Sequence, residues 1–182
     1  MSVLTEEEFF LGKPDFVKKL SETFSVPVLV KDFILDEGQI YEARFNGASA
    51  VLLIAAILDE EKLRSFIRLS GSLDLDCLVE VHDMKQVNKA LSTGAEIIGI
   101  NNRDIVTFEV DTRLSERLIP AIAGKAVTVA ESGIKDADEV RRLREIGAHA
   151  VLIGETFMRA ADIGRKIKEI MGESTGGEID QG

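Results

Sequence analysis

A short unit that ends a helix and begins a strand occurs three times in this chain of 182 residues. The copies are Gly47-Ala-Ser-Ala-Val-Leu52, Gly94-Ala-Glu-Ile-Ile-Gly99 and Gly147-Ala-His-Ala-Val-Leu152, and they recur after 47 and then 53 residues. Glycine is common just past a helix end, and each interval has the length of two strand-helix units. Strands that alternate with helices pair in parallel through right-handed crossovers. The repeat therefore favours an α/β fold, either a doubly wound sheet or a (βα)8 barrel.

The hydrophobic pattern places seven strands along the chain. The apolar runs predicted as strands are 2–5, 27–30, 50–54, 77–81, 97–100, 127–130 and 150–153. The first two predicted helices cover 14–24 and 39–46, and the next two begin at the caps Asp59 and Asp83. A fifth helix runs from Leu114 to Pro120, and a sixth runs from an Asp136/Glu139 capping box to Ile146. A short turn near Phe157 and a helix over 163–170 follow. Polar residues follow nearly every strand at one end, where barrel enzymes carry their sites. We therefore predict an incomplete TIM (βα)8 barrel over residues 1–171, with seven βα units and the first strand missing, and a disordered tail over 172–182.

The composition argues against several classes of function. A net charge of −10 is unfavourable for nucleic-acid binding, which needs a basic surface. The sequence contains no apolar stretch of membrane-spanning length, and the acidic run Thr5-Glu-Glu-Glu8 follows the start too closely for a signal peptide. The lone Cys77 lies in an apolar run and is predicted to be a buried thiol. Two separated histidines and one cysteine predict no metal site. These features favour a cytoplasmic enzyme without a nucleic-acid or membrane partner.

Alternate residues of a strand face the same side, so each predicted strand end presents a defined set of side chains. The sets are Leu29, Lys31 and Phe33; Leu78, Glu80 and His82; Ile97, Gly99 and Asn101; and Val129 with Glu131. If these faces line a barrel, Lys31, Glu80, Asn101 and Glu131 converge above it. A lysine directly after an apolar strand is unfavourable unless it is paired or takes part in chemistry. One alternative is an ion pair of Lys31 with either glutamate that only stabilises the rim, and His82 is interpreted as a hydrogen-bonding spacer.

Two strand ends also carry glycine turns. Val127-Thr-Val-Ala-Glu-Ser-Gly-Ile134 and Val151-Leu-Ile-Gly-Glu155 each run from an apolar strand to a glycine beside a carboxylate, before a predicted helix. Amides that follow Gly133 and Gly154 at helix starts form a natural phosphate site, because they have no hydrogen-bond partner within the helix. The alternative is that both glycines only allow tight turns.

Six motifs, in order along the chain, resemble those of indole-3-glycerol-phosphate synthase. They are Ser2-Val-Leu-Thr-Glu6, Pro27-Val-Leu-Val-Lys-Asp-Phe33, Leu78-Val-Glu-Val-His-Asp83, Ile98-Gly-Ile-Asn-Asn-Arg-Asp104, Val129-Ala-Glu-Ser-Gly-Ile134 and Val151-Leu-Ile-Gly-Glu155. The resemblance implies a barrel enzyme of tryptophan biosynthesis. Such an enzyme closes the indole ring of 1-(2-carboxyphenylamino)-1-deoxyribulose 5-phosphate, releases carbon dioxide and water, and uses no cofactor.

The resemblance also implies roles for individual residues. Lys31 is similar to the general acid that protonates the ribulose carbonyl, and Glu80 to the acid/base that assists loss of the hydroxyl group. Asn101 and Glu131 match residues that position the substrate hydroxyls and the ammonium group. The phosphate-binding and other substrate-binding positions implied by the motifs are Phe33, Arg103, Ser132, Gly133, Gly154 and Glu155.

Relatives of this kind begin with a helical extension and a first strand that carries a glutamate and a second lysine, whereas this sequence starts at their second strand. We therefore expect a truncated reading frame, a fragment or one part of a split enzyme, with very low activity alone. The strands 2–5 and 150–153 are expected to present open edges that self-associate or bind a complementing N-terminal segment. Two other functions stay open: another phosphate-binding barrel such as a sugar-phosphate isomerase, and a non-catalytic barrel partner.

Overall fold

The structure is a computed structural model that describes residues 1–172, in which strands and helices alternate. The elements are β1 (Ser2–Leu4), α1 (Pro14–Thr23), β2 (Leu29–Lys31), α2 (Glu37–Phe45), β3 (Ala50–Ile54), α3 (Glu60–Ser72), β4 (Asp76–Val81), α4 (Met84–Ser92), β5 (Ile97–Asn101), α5 (Arg113–Ile122), β6 (Val127–Glu131), α6 (Ala137–Glu145), β7 (Ala150–Leu152), α7 (Glu155–Met158) and α8 (Ile163–Ile170). All seven predicted strands are present. The predicted tail lies outside the described residues from 173 onward.

Aspartate side chains begin most of the helices. Asp59 accepts a hydrogen bond from the amide of Lys62 at 2.8 Å and thereby caps α3 as predicted. The capping box predicted at Asp136 is wrong in one of its two bonds. Asp136 accepts from the Glu139 amide, but the Glu139 carboxylate accepts from the amide of Lys135, which lies one residue before the cap.

No helix among residues 1–172 is long and apolar enough to cross a membrane.

Helix α5 continues beyond the proline at which it was predicted to end. Pro120 lies inside the helix, which ends at Ile122. Proline removes one backbone hydrogen bond and disfavours a helical residue before it. Ile119 and Ile122 are fully buried, and the packing of this last turn outweighs the local preference of the proline.

The seven strands form one parallel sheet in the order β1-β2-β3-β4-β5-β6-β7. Each strand pairs with its sequence neighbour, as in a βα barrel, and the sheet curls into part of a barrel. Within the described residues, β1 pairs with β2 alone and β7 with β6 alone, so these two strands do not close the barrel. The incomplete TIM-barrel fold predicted from the sequence is confirmed.

The two faces of the sheet carry different cores. The larger core lies between the sheet and the helices, and includes Val51, Val79 and Ile98 from the strands and Phe66 from α3. The opposite face carries a small cluster of Leu29, Phe33, Leu52, Ile54, Leu78, Ile97, Val129 and Leu152. Every member that lies in a strand alternates with a residue of the larger core. The small cluster therefore forms the floor of the concave face, and the predicted polar residues lie on this face at the carboxyl ends of the strands.

Candidate active site

One lysine and two glutamates meet at the carboxyl ends of β2, β4 and β6. The Nζ atom of Lys31 donates to Oε2 of Glu80 and to Oε2 of Glu131, at 3.0 Å in each case. The side chain of Lys31 is 20% exposed, whereas those of Glu80 and Glu131 are 4% and 1% exposed. The convergence expected from strand alternation is present. Lys31 forms ion pairs with both carboxylates, where the alternative interpretation required only one.

This environment changes the proton affinities of the cluster. Burial disfavours the charged form of Lys31, but the carboxylates of Glu131 and Glu80 outweigh burial and raise the pKa of the lysine above its ordinary value. Burial raises the pKa of Glu131 to about 6, an effect that Lys31 opposes and Glu80 reinforces. At neutral pH the lysine is therefore a charged acid, and Glu131 titrates close to neutrality.

A glycine provides the space that Glu131 occupies. A Cβ atom added to Gly99 would lie 2.0 Å from Oε1 of Glu131 and 3.2 Å from a methyl carbon of Leu78. Within the described residues, this Oε1 atom is buried and has no hydrogen-bond partner. Asn101 pairs in register with Glu131, and its Oδ1 atom accepts from the amide of Arg103 at 3.0 Å. No pattern in the sequence indicates that Gly99 provides this space for Glu131.

The cluster opens into a cavity of about 690 Å³. Among the predicted residues, those that line it are Lys31, Phe33, Glu80, Asn101, Arg103, Ser132 and Glu155. The wall also contains Phe9 and Phe10 after β1 and Phe108 after β5, which the sequence analysis missed. The rings of Phe10 and Phe33 stack with their centroids 6.0 Å apart. An apolar wall beside a few charged groups is typical of a small-molecule site.

A second cleft, of about 830 Å³, lies beside the glycine turns. Gly133 lines it with a φ of +78°, and a Cβ there would lie 2.5 Å from Val110. Gly154 does not line this cleft, although the next residues, Glu155 and Thr156, do. The basic residues of the cleft are Arg103, Lys135, Arg159 and Lys166, of which only Arg103 was predicted.

The turn before this cleft is held by a buried asparagine that the sequence analysis overlooked. Asn102 is 2% exposed, and its Nδ2 atom donates to the carbonyl of Ser132 at 3.0 Å. Its Oδ1 atom accepts from both the amide and the hydroxyl of Ser115. Ser132 has a φ of +65°, which is unfavourable for a residue with a side chain. The hydrogen bonds of Asn102 therefore fix the backbone at the predicted phosphate turn.

Glu155 contacts two arginines at the rim. Its carboxylate accepts from Arg103 at 2.7 Å and from Arg159 at 2.9 Å. Hydrogen bonding and charge from Arg159, and then from Arg103, lower the pKa of Glu155. The side chain of Glu155 is therefore an anion at neutral pH, although this residue was predicted to help bind the phosphate group of a substrate.

His82 does not form the hydrogen bonds expected of a spacer. Both ring nitrogens are buried and have no hydrogen-bond partner within the described part of the chain. Nε2 lies 3.6 Å from Oε1 of Glu80, beyond ordinary hydrogen-bond distance. The interpretation of His82 as a hydrogen-bonding spacer is therefore wrong.

The fold and the sequence both have counterparts among known proteins. A crystal structure of 3-hexulose-6-phosphate synthase from Salmonella typhimurium superimposes with a TM-score of 0.72 over 94% of this chain and 85% of that chain, at 17% identity. At this identity the similarity shows the fold alone. The indole-3-glycerol phosphate synthases of Acetivibrio thermocellus and Ruminiclostridium cellulolyticum are 51% and 48% identical to this chain over 150 residues.

The matched region is 82% of this chain but only 58% of either of these two relatives, so the chain spans less than two thirds of their length. The family model described as indole-3-glycerol phosphate synthase matches residues 1–170. This match includes both glycine turns and the three strand ends that hold Lys31, Glu80 and Glu131. The chain belongs to the indole-3-glycerol phosphate synthase family.

Proposed function

We propose that this chain provides most of the active site of an indole-3-glycerol-phosphate synthase. The observation that carries the proposal is the position of Lys31, whose Nζ atom lies 3.0 Å from each of two buried carboxylates at the floor of an apolar cavity. A charged lysine beside carboxylates can protonate a carbonyl oxygen and then be reprotonated. Membership of the family supports this function over that of a sugar-phosphate isomerase.

In the proposed reaction, the aromatic carbon that bears the carboxylate attacks the ribulose carbonyl carbon. The carbonyl oxygen accepts a proton from Lys31 and becomes a hydroxyl group. The bond to the carboxylate then breaks, carbon dioxide leaves, and its electron pair remains on the ring. Glu80 assists the loss of the hydroxyl as water and the removal of the ring proton, so that the indole becomes aromatic. Asn101 and Glu131 hold the substrate hydroxyls and the nitrogen, which becomes positively charged as the aromatic carbon attacks.

The phosphate group is assigned to the cleft beside Gly133. Backbone amides at the turn and at the start of α7, together with Lys135, provide donors and positive charge there. Arg103 and Glu155 line both this cleft and the cavity above Lys31. A substrate with a phosphate at one end and an aromatic ring at the other can therefore span the two spaces.

We further propose that the open edges of the sheet bind a complementing strand. β1 and β7 each have one paired neighbour in the described region, and unpaired edges of apolar strands recruit other strands. Closure of a barrel fixes the tilt and stagger of its strands, and a misplacement of about 1 Å can reduce a rate roughly a hundredfold. We expect turnover near background for the chain alone, self-association at high concentration, and partial recovery when the complementing segment is added.

Product analysis tests the reaction. The chain is incubated with 1-(2-carboxyphenylamino)-1-deoxyribulose 5-phosphate, alone and with the N-terminal segment of the Acetivibrio thermocellus relative. We expect indole-glycerol phosphate to form in the complemented mixture, and Lys31→Met to abolish it. Lys18→Met is the matched control, because Lys18 is an exposed residue of α1 and its replacement should leave the product unchanged.

Two outcomes contradict the proposal. Equal product from the Lys31→Met chain would remove Lys31 from the chemistry. Absence of product in a complemented, folded mixture that still binds phosphate would favour the non-catalytic barrel partner.

A further inference from the structure

The ion pair between Arg103 and Glu155 stands at the boundary of the two cavities. Arg103 follows β5 and Glu155 begins α7, and both line the space above Lys31 as well as the cleft beside Gly133. Their charged groups are 2.7 Å apart. A ligand that occupies both spaces therefore meets this pair.

The arginine is fixed by its backbone and by a second hydrogen bond. Its amide donates to Oδ1 of Asn101, its backbone pairs with Val110 across the loop, and its Nη1 atom donates to the carbonyl of Phe108 at 3.1 Å. Glu155 can leave Arg103 and keep a partner. Its other oxygen accepts from Arg159, four residues further along, at 2.9 Å. The pair can thus open without leaving a carboxylate unpaired.

We infer that Glu155 is an internal counter-ion that occupies Arg103 and is displaced from it by a phosphate dianion. The inference rests on the proposed function in that it takes the cleft to be the phosphate site. Glu155 is 54% exposed and Arg103 is 34% exposed, so water can solvate both groups as they separate. Glu155 is ionised at neutral pH and repels any anion that enters while it stays on Arg103.

This arrangement makes Glu155 a specificity-determining residue. When a ligand with a single negative charge displaces Glu155, Arg103 exchanges one anion for another of equal charge, so the electrostatic free energy changes little. A phosphate dianion brings twice the charge to the guanidinium and gains more from the exchange. Glu155 nevertheless weakens the binding of all anions, and it weakens dianions more than monoanions, because opening the pair costs every anion the same whereas repulsion by Glu155 grows with the charge of the ligand.

Titration of the whole chain with inorganic phosphate and with acetate tests this inference. Binding is followed by the amide NMR shifts of Gly133 and Gly154 at constant ionic strength. We expect Glu155→Gln to bind phosphate about tenfold more tightly than the unsubstituted chain, from the loss of one nearby like charge and the release of Arg103. We also expect its preference for phosphate over acetate to rise, because the dianion loses more repulsion than the monoanion.

Glu60→Gln is the matched control. Glu60 accepts from Arg64 four residues away at 2.9 Å, the same spacing and distance as Glu155 with Arg159, but on α3 and outside both cavities. Its replacement should leave both affinities unchanged. Adding Arg103→Gln to Glu155→Gln should remove the gain, because the released guanidinium is then absent.

The inference is overturned if Glu155→Gln binds phosphate equally or more weakly, or if it tightens acetate by the same factor as phosphate or by a larger one. Phosphate binding by the unsubstituted chain with no gain in Glu155→Gln leaves the proposed function standing. Absence of phosphate shifts in every chain overturns both the inference and the assignment of the cleft. The reaction itself is judged separately, by the product assay with Lys31→Met.

Discussion

Two ionic clusters lie at the same rim of the sheet, and they differ in how far water reaches them. The side chains of Lys31, Glu80 and Glu131 are 20%, 4% and 1% exposed. In the other cluster, Arg103, Glu155 and Arg159 are 34%, 54% and 78% exposed. Each cluster contains three charged groups within hydrogen-bond distance, but one has two anions around a cation and the other has two cations around an anion.

The difference determines what each cluster can do. Charges in the buried cluster interact through a poorly polarisable interior, so the position of each group alters the proton affinity of the others. The exposed groups are solvated and screened, so their contacts exchange with solvent and with ligands at low free energy. Proton transfer suits the first environment and reversible capture of an anion suits the second.

Removal of the buried cation should have the largest effect on stability. Lys31→Met leaves Glu80 and Glu131 beside each other without a counter-charge, and breaking a buried ion pair costs roughly 3–5 kcal/mol. Urea unfolding at neutral pH measures the loss. The matched change in the exposed cluster, Arg103→Met, should shift the midpoint only slightly, because Glu155 keeps Arg159 as a partner.

A triple variant separates lost charge pairing from lost packing. When Glu80→Gln and Glu131→Gln are added to Lys31→Met, no buried charge remains in the cluster, and most of the stability should return. If the triple variant is as unstable as Lys31→Met, the shape of the lysine side chain matters more than its charge, and the electrostatic account of this cluster is wrong.

The space around Glu131 provides the second test. Gly99→Ala would place a methyl group 2.0 Å from a buried oxygen of Glu131, and such overpacking costs between about 1 and 3 kcal/mol. Gly71→Ala is the control, since Gly71 lies in α3 with no atom within 4 Å of the added Cβ. It should stabilise the chain, by about 0.5–1 kcal/mol. Equal unfolding midpoints for the two variants would mean that Glu131 moves aside freely and is not fixed by burial.

The pH dependence of stability tests the proton affinity of Glu131. Because folding raises its pKa to about 6, this group contributes stability that is complete below its unfolded pKa and is lost as the pH rises through about 6. The free energy of unfolding, relative to that of Glu131→Gln, should therefore fall by roughly 2 kcal/mol between acidic and neutral pH. Lys31 adds nothing to this change, because its raised pKa lies far above the range. A flat or rising difference would contradict the assignment.

Strand alternation predicted the buried cluster, whereas Arg103 and Glu155 of the exposed cluster were predicted only through the resemblance to a known family, and Arg159 was not predicted. Strand alternation has a period of two, so Lys31, Glu80 and Glu131 could be placed on one face once the strands were known. Arg159 directly follows the short helix α7 and Phe108 lies in a loop, where no periodicity indicates the direction of a side chain. The roles of Gly99 and Asn102 depend on neighbours in space that are 32 and 30 residues away in sequence, Glu131 and Ser132. Alternation within one strand carries no information about such contacts.

The dependence of stability on salt concentration should separate the two clusters most clearly, although the change in stability is the smallest of those predicted. Glu155→Gln should lower the urea midpoint slightly at about 10 mM salt, and the difference should vanish at about 1 M, where the screening length is about 3 Å. The deficit of Lys31→Met should persist at both concentrations, because its carboxylates are shielded from ions by burial. If a Glu155→Gln deficit survives high salt, the exposed cluster is held as firmly as the buried one. A carboxylate held in that way could not leave Arg103 for an incoming phosphate.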